Sequence, residues 1–310
     1  MKQSILILLI IFMGRNIFAQ RIISKIDSFN NEKDVENLIH KLDEDYKEFK
    51  IKKIRDFREE HGENKFCKQI ADSLKIDNSF YMADFDNNGY TDLLVIGDYY
   101  DFKIFVLMNY PNDSLKINRL TRRSFQNCTF PKIANDSIIN YYYFSEPHIF
   151  SEEKSKLVKK DLIFKFGDFI EYNSKPNSYN IEKIEFQTTM CYGTCPQFFI
   201  SIDKNKNGVF KAEYYNIDKN KGKGEVKGKF KTIINSNDYD TIISLMNYID
   251  FPNLENNYSV NWTDDQTSTL KITYNNGKVK EISDYGMIGT YGLDRIYSLL
   301  FDLRFNQNWK

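Results

Sequence analysis

Beyond its first residues the chain has no apolar run near the roughly 20 residues that a membrane-spanning helix needs. It is also poor in histidine, with three, in tryptophan, with two, and in proline, with six, among 310 residues. The scattered histidines make no paired-His metal helix, and neither a Gly-x-Ser-x-Gly elbow nor a phosphate-cradling glycine loop occurs. Neither sign of charge predominates, because 43 Lys and Arg face 43 Asp and Glu. Nucleic acid is therefore not an expected partner, since binding a polyanion rests on an excess of basic side chains. There is no long internal repeat and no low-complexity block. What is plentiful is aromatic: 25 Phe and 21 Tyr, enough with the aliphatics to build cores.

The amino terminus carries an address. Met1-Lys2-Gln3-Ser4 holds one positive charge, Ile5 to Met13 is uninterruptedly apolar, and the segment closes at Phe18-Ala19-Gln20. A basic start, a short apolar stretch and a small residue at the cut form a secretory signal. Arg15 and Asn16 argue against a retained anchor, and no Cys at the cut offers a lipid attachment point. Residues 1–19 are thus expected to be removed, leaving a protein without a transmembrane segment in the periplasm, on the cell surface or outside the cell. Losing Lys2 and Arg15 brings the balance to about −2. In an oxidising compartment the four cysteines are expected to pair. Three pairings are allowed. Spacing favours Cys191–Cys195, which leaves Cys67 and Cys128 for each other.

Periodicity organises the remainder. Val35, Leu38, Ile39, Leu42, Tyr46 and Phe49 recur at steps of three and four and predict one helix over 32–58. His40 falls beside that stripe and reads as a solvated imidazole. A shorter helix runs from Phe66 to about Leu74. Strands are predicted at 79–83, 93–96, 103–108, 138–144, 161–166 and 169–172. Asn173-Ser174-Lys175-Pro176-Asn177-Ser178 is polar, aperiodic and proline-bearing, and reads as a linker. It divides an N-terminal domain, 20–172, from a C-terminal one, 179–310. The latter should hold strands at 181–187, 197–202, 208–215 and 225–232, then a helix at 237–248 capped by Ser236. A hairpin, 269–274 and 278–283, turns at Asn275-Asn276-Gly277, and a helix over 291–305 closes the chain. The fold class expected is α+β: two domains, each a mainly antiparallel sheet with helices packed on one face.

The sharpest local signal is Asp84-Phe85-Asp86-Asn87-Asn88-Gly89-Tyr90-Thr91-Asp92. Oxygen side chains stand at positions 1, 3, 5 and 9, Gly89 permits the bend, and the Tyr90 carbonyl can serve at position 7. Calcium takes six to eight such hard oxygens. Position 12, a bidentate Glu in helix-loop-helix calcium hands, is Val95 here. The loop instead resembles those of the FG-GAP and related bacterial repeat families. That resemblance implies Ca²⁺ bound by Asp84, Asp86, Asn88, Tyr90 and Asp92. It spans about a dozen residues, occurs once, and does not carry the propeller of those families with it. The bland alternative is a polar turn whose Asp and Asn bond their own backbone. A second stretch, Asp203 to Gly208, imitates the pattern with lysines between the oxygens, and reads as a hairpin turn.

Cys191-Tyr192-Gly193-Thr194-Cys195-Pro196 reads as a tight disulfide loop ahead of a strand. Zinc would need further paired ligands, and a thioredoxin-type pair would have two intervening residues before a helix. Residues about 180–305 are similar to an uncharacterised domain family of exported bacterial proteins. The likeness rests on this Cys motif, on Thr263-Asp264-Asp265-Gln266-Thr267 and on Ser283-Asp284-Tyr285-Gly286. It implies an address and a fold but no reaction.

Two functional readings follow. One is an exported, non-enzymatic module that binds an extracytoplasmic ligand or protein, with calcium and disulfide as staples. The other is a hydrolase using carboxylates such as Asp264, Asp265 and Asp284, or a thiol-active enzyme. The first would show an aromatic surface, such as Tyr141-Tyr142-Tyr143 or Trp262. The second would show a deep pocket joining those acids or the Cys loop.

Overall fold

A computed structural model describes residues 22–42, 44–56, 64–99, 101–122, 129–135, 137–145, 156–217 and 224–310. The expected signal peptide, Cys128, His61 and His148 lie outside the described residues. The N-terminal half is built on a five-stranded antiparallel sheet. Its strands are β1 (Lys50–Ile51), β2 (Phe80–Ala83), β3 (Asp92–Tyr99), β4 (Asp101–Tyr110) and β5 (Ser114–Arg119), ordered β1-β3-β4-β5 with β2 also paired to β3. Leu93-Leu94-Val95-Ile96 is buried without alternation, the mark of a strand covered on both faces. On one side Leu93, Val95, Phe105 and Leu107 meet Val35, Leu38 and Ile39 of α1 (Glu32–Leu42). On the other, Leu94, Ile96, Ile104 and Val106 meet Ala71 of α2 (Asn64–Leu74) and a second sheet. That sheet runs in sequence order through β6 (Phe130–Asn135), β7 (Ile138–Phe144), β8 (Leu157–Lys165) and β9 (Asp168–Glu171). Phe130, Ile139, Tyr141, Leu162 and Phe169 are its contribution to the shared core.

The single helix expected over 32–58 is not formed. α1 stops at Leu42, and Tyr46 and Phe49 reach the same core from a 3-10 turn and the approach to β1. The spacing of three and four was met by chain that is not helical. His40 is half-buried rather than solvated, with Nε2 2.8 Å from the Phe49 carbonyl. β1 crosses β3 at Gly97, where an added Cβ would lie 2.2 Å from Phe49 Cζ and 2.5 Å from the Lys50 carbonyl.

The C-terminal half holds a seven-stranded sheet ordered β13-β12-β11-β10-β15-β16-β14. In chain order these are β10 (Ile181–Thr188), β11 (Gln197–Asp203), β12 (Asn207–Tyr214), β13 (Gly228–Ile233), β14 (Asn257–Ser259), β15 (Thr267–Tyr274) and β16 (Lys278–Tyr285). All pairs are antiparallel except β14–β16. Phe186, Phe198, Ile200, Leu270 and Ile272 share a core with Leu245 and Met246 of α3 (Ser236–Tyr248) and Leu293, Ile296 and Leu300 of α4 (Tyr291–Asn306). Asn235, not Ser236, caps α3, accepting the Asp238 N–H at 2.8 Å. The β15–β16 turn places Asn275, Asn276 and Gly277 at φ 44, 66 and 85°, which suits these residue types. Asp203 to Gly208 is the β11–β12 turn, with Asp203 accepting from the N–H groups of Asn205 and Asn207.

The expected fold class, α+β with two sheets each covered by helices on one face, is overturned. The described chain is mainly β, 41% strand against 25% helical, in three sheets. The physical reason is clearest in the N-terminal half, where a second sheet, rather than a helical layer, buries much of the inner face of the first.

Polar ties join the halves. Glu171, the last residue of β9, accepts the backbone N–H groups of Tyr291 (2.8 Å) and Gly292 (2.9 Å), closing the positive end of α4. The Arg122 guanidinium donates to the carbonyls of Ile288 and Gly289 and lies 4.6 Å over the Tyr291 ring. The Tyr291 hydroxyl donates to the Leu120 carbonyl at 2.7 Å. Asn173, first of the expected linker residues, is bonded to Tyr248 through both its backbone and its side chain.

Two substitutions test this account. Gly97→Ala should lower stability by about 1–3 kcal/mol, because Phe49 and the Lys50 carbonyl must both give way. Glu171→Ala should lower it by about 1–2 kcal/mol through the open first turn of α4. Urea unfolding of each variant beside wild type measures both, and an unchanged midpoint would contradict the packing described.

Candidate functional site

The Asp84 loop joins β2 to β3, and Ala83 pairs with Asp92 across its base. Asp84 accepts the N–H groups of Asn88 (3.1 Å) and Gly89 (2.8 Å). Asp86 accepts the backbone N–H of Asn88 (3.2 Å) and its side-chain amide (3.1 Å). These bonds wind the loop into a turn, helped by Asn87 and Gly89 at φ 58 and 88°. Carboxylate oxygens of Asp84, Asp86 and Asp92 thereby lie within 4.8 Å of one another. Asn88 is engaged otherwise: its Oδ1 accepts the Tyr90 N–H at 2.7 Å, and its amide donates to the Asn109 carbonyl at 2.8 Å. Tyr90 forms an isolated bridge with Ile22, whose N–H donates to the Gly89 carbonyl at 2.8 Å.

Asp92 is fully buried because it begins β3. Its two oxygens accept the N–H groups of Asn109 (2.7 Å) and Phe85 (2.8 Å). Burial pushes the Asp92 carboxyl up to about 7, with the charges of Asp86 and Asp84 adding to the rise and the two N–H donors opposing it. Asp86 is raised as well, first by burial and then by Asp84. Among the described residues no Lys or Arg forms an ion pair with these three acids. Crowded, half-desolvated carboxylates of this kind are hard oxygen donors for a divalent cation. The sequence could not reveal Asn109, which sits on β4 and fixes both Asp92 and Asn88.

A second feature lies at one end of the seven-stranded sheet. Cys191 and Cys195 are joined in a disulfide, their Cα atoms 5.7 Å apart. Cys67 is also disulfide-bonded, and no free cysteine occurs among the described residues. The Cys191 loop is tied to residues 264–267. Tyr192 N–H donates to the Asp264 carbonyl at 3.0 Å, and Thr189 N–H to that of Thr267 at 2.9 Å. Buried Gln266 donates to the carbonyls of Thr189 (2.7 Å) and Pro196 (2.8 Å), a support that spacing gave no means to foresee.

The candidate acids do not converge. Asp264 is exposed. Asp284 is fully buried, accepting the Ile288 N–H (3.0 Å) and the Tyr297 hydroxyl (3.1 Å), and burial raises its carboxyl. It braces the loop ahead of α4. An open cleft of about 640 Å³ between the halves is lined by Arg119, Arg122, Asp168, Asp294 and Asp302 among others, and by neither cysteine nor Asp264 nor Asp284. Tyr141 is buried in the N-terminal core, which removes one of the three rings of the proposed Tyr141-Tyr142-Tyr143 surface, whereas Trp262 is exposed.

Gln266→Ala would leave the Thr189 carbonyl short of a donor and the Pro196 carbonyl with the Thr188 hydroxyl alone. It should cost about 1–3 kcal/mol in urea unfolding, with the mass of unreduced protein showing the disulfide intact. Wild-type stability in that variant would mean that the tie does not hold the loop.

No curated protein and no solved structure matches the chain. Residues 182–304, from β10 into the last turns of α4, match the family model described as a domain of unknown function (DUF6438).

Proposed function

We propose that the protein is an exported, non-catalytic binding module whose fold is held by calcium at the Asp84 loop and by its disulfides. The observation that carries the calcium reading is the approach of Asp84, Asp86 and buried Asp92 without a cationic partner among the described residues. A divalent cation would offset both the burial and the mutual repulsion that push Asp92 up. The proposed ligands are Asp84, Asp86 and Asp92, joined by Asn88 and the Tyr90 carbonyl as the FG-GAP resemblance implies, with Asn88 Oδ1 exchanging its bond from the Tyr90 N–H for the ion. Asn88 in place of an acid lowers the charge, and calcium outside the cell is concentrated enough to fill a weak site. Disulfide-bonded cysteines support an oxidising compartment, hence removal of residues 1–19 and a periplasmic, surface or extracellular location. Among the described residues no helix is long and apolar enough to cross a membrane. We further propose 20–172 and 179–310 as two domains joined at 173–178. The hydrolase alternative finds no support in Asp264 and Asp284, one exposed on a loop and the other committed to bracing the backbone.

Calcium at about a hundred times its dissociation constant should stabilise the wild type by about 2.7 kcal/mol. Asp86→Ala should lower the melting temperature in calcium and leave it nearly unchanged in chelator. Equal losses in both conditions would defeat the metal reading. Mass spectrometry of unreduced protein recovered from the producing cells should show a chain beginning at Gln20, lighter by the hydrogens of two disulfides. Protein retaining Met1 with reduced sulfurs would defeat the export reading.

A further inference from the structure

The tied loops at the end of the seven-stranded sheet display large apolar side chains to solvent. Tyr192 is 90% exposed, Met190 57% and Trp262 41%. Burial would ordinarily claim such residues, and Tyr, Trp and Met are the types enriched where proteins meet partners. Nothing about their setting is loose. Tyr192 stands within a disulfide-closed loop, and its backbone is bonded to Asp264, which holds the left-handed conformation at φ 69°. The Trp262 indole N–H donates to Asp265 Oδ2 at 3.0 Å, and Asp265 Oδ1 accepts the Gln266 N–H at 2.7 Å. Beneath both loops lies the Gln266 tie to Thr189 and Pro196. A surface ordered before contact loses little conformational freedom when a partner binds.

Charge selects the partner. Residues 188–197 contain no ionisable group other than Tyr192 and the bridged cysteines, and 260–267 contain Asp264 and Asp265 and no Lys, Arg or His. The patch thus carries Asp264, exposed and bonded through its backbone to Tyr192, and Asp265, whose two oxygens hold the Trp262 indole and the Gln266 N–H. Aromatic rings attract ammonium and guanidinium groups through their negative faces, and neighbouring carboxylates add direct attraction. We propose that this patch docks a lysine- or arginine-bearing peptide segment of another protein, with Tyr192, Met190 and Trp262 as apolar anchors and Asp264 as the charged one. The inference rests on the binding-module reading and names the class of partner for it.

The test uses the full mature chain and follows its two tryptophan indole N–H resonances, assigned with a Trp309→Phe variant. The probe is an octapeptide of alternating Lys and Tyr, compared with its Glu counterpart and with a neutral hexose oligosaccharide. The Lys peptide should move the Trp262 resonance saturably and leave that of Trp309 in place. Tyr192→Ala and Asp264→Asn should each weaken the interaction at least fivefold, and added salt should weaken it further. Both side chains are exposed, so the variants should keep the wild-type melting temperature. No saturable shift, equal response to the Glu peptide, or wild-type affinity in both variants would overturn the proposal. A response to the oligosaccharide alone would do so in favour of glycan recognition. Any of these results would leave the calcium and export tests of the wider reading untouched, so the two can fail separately.

Discussion

Burial of the β3–β4 pair on both faces is the constraint that organises the N-terminal half. Leu93 through Ile96 and Ile104 through Met108 present apolar side chains in both directions, so neither side can be left to water. α1 and the chain from Ile26 to Ile51 supply one cover, and α2 with the four-stranded sheet supplies the other. The same burial draws Asp92, at the start of β3, out of solvent. A carboxylate there needs donors, and receives them from Phe85 and Asn109. The crowding of acids at the loop is thus a consequence of how the sheet is packed, as well as of the loop's own sequence.

The C-terminal half solves a different problem. Its core is made by alternating side chains of the long sheet together with α3 and α4, while the loops at one sheet end are held by a disulfide, a buried amide and backbone pairing. Such bracing allows aromatic residues to face solvent in fixed positions. The two halves meet through polar contacts, among them Arg122 on the Ile288–Gly289 carbonyls and Tyr291 on that of Leu120, and through apolar packing, with the Tyr291 ring in the N-terminal core and Ile170 in the C-terminal one.

What the sequence disclosed was what depends on near neighbours. The turn of the Asp84 loop and the Cys191–Cys195 pair were legible because their partners lie within a few residues. Asn275-Asn276-Gly277 was legible because its residue types tolerate positive φ. Asn109 and Gln266 were not, since each acts on chain 17 or more residues away. The helix predicted through Phe49 failed because periodicity records which side chains are buried and not which backbone carries them. β6 was missed because Pro131 argues against a strand, yet β6 is an edge strand, where a missing N–H is tolerated. The fold class failed for a related reason, because a strand pattern does not reveal whether a helix or another sheet will cover it.

The carboxylate of Glu171 closing the first turn of α4 bears on how the chain can be divided. A fragment limited to residues 182–304 would lose that acceptor and, with it, the tether at Asn173. It would also lose Trp309, whose ring centroid lies 5.4 Å from that of Phe210, and Lys310, which exchanges backbone hydrogen bonds with Lys231 and so extends the sheet past β13. The recognisable stretch of sequence is therefore shorter than the piece of protein that completes its own hydrogen bonds.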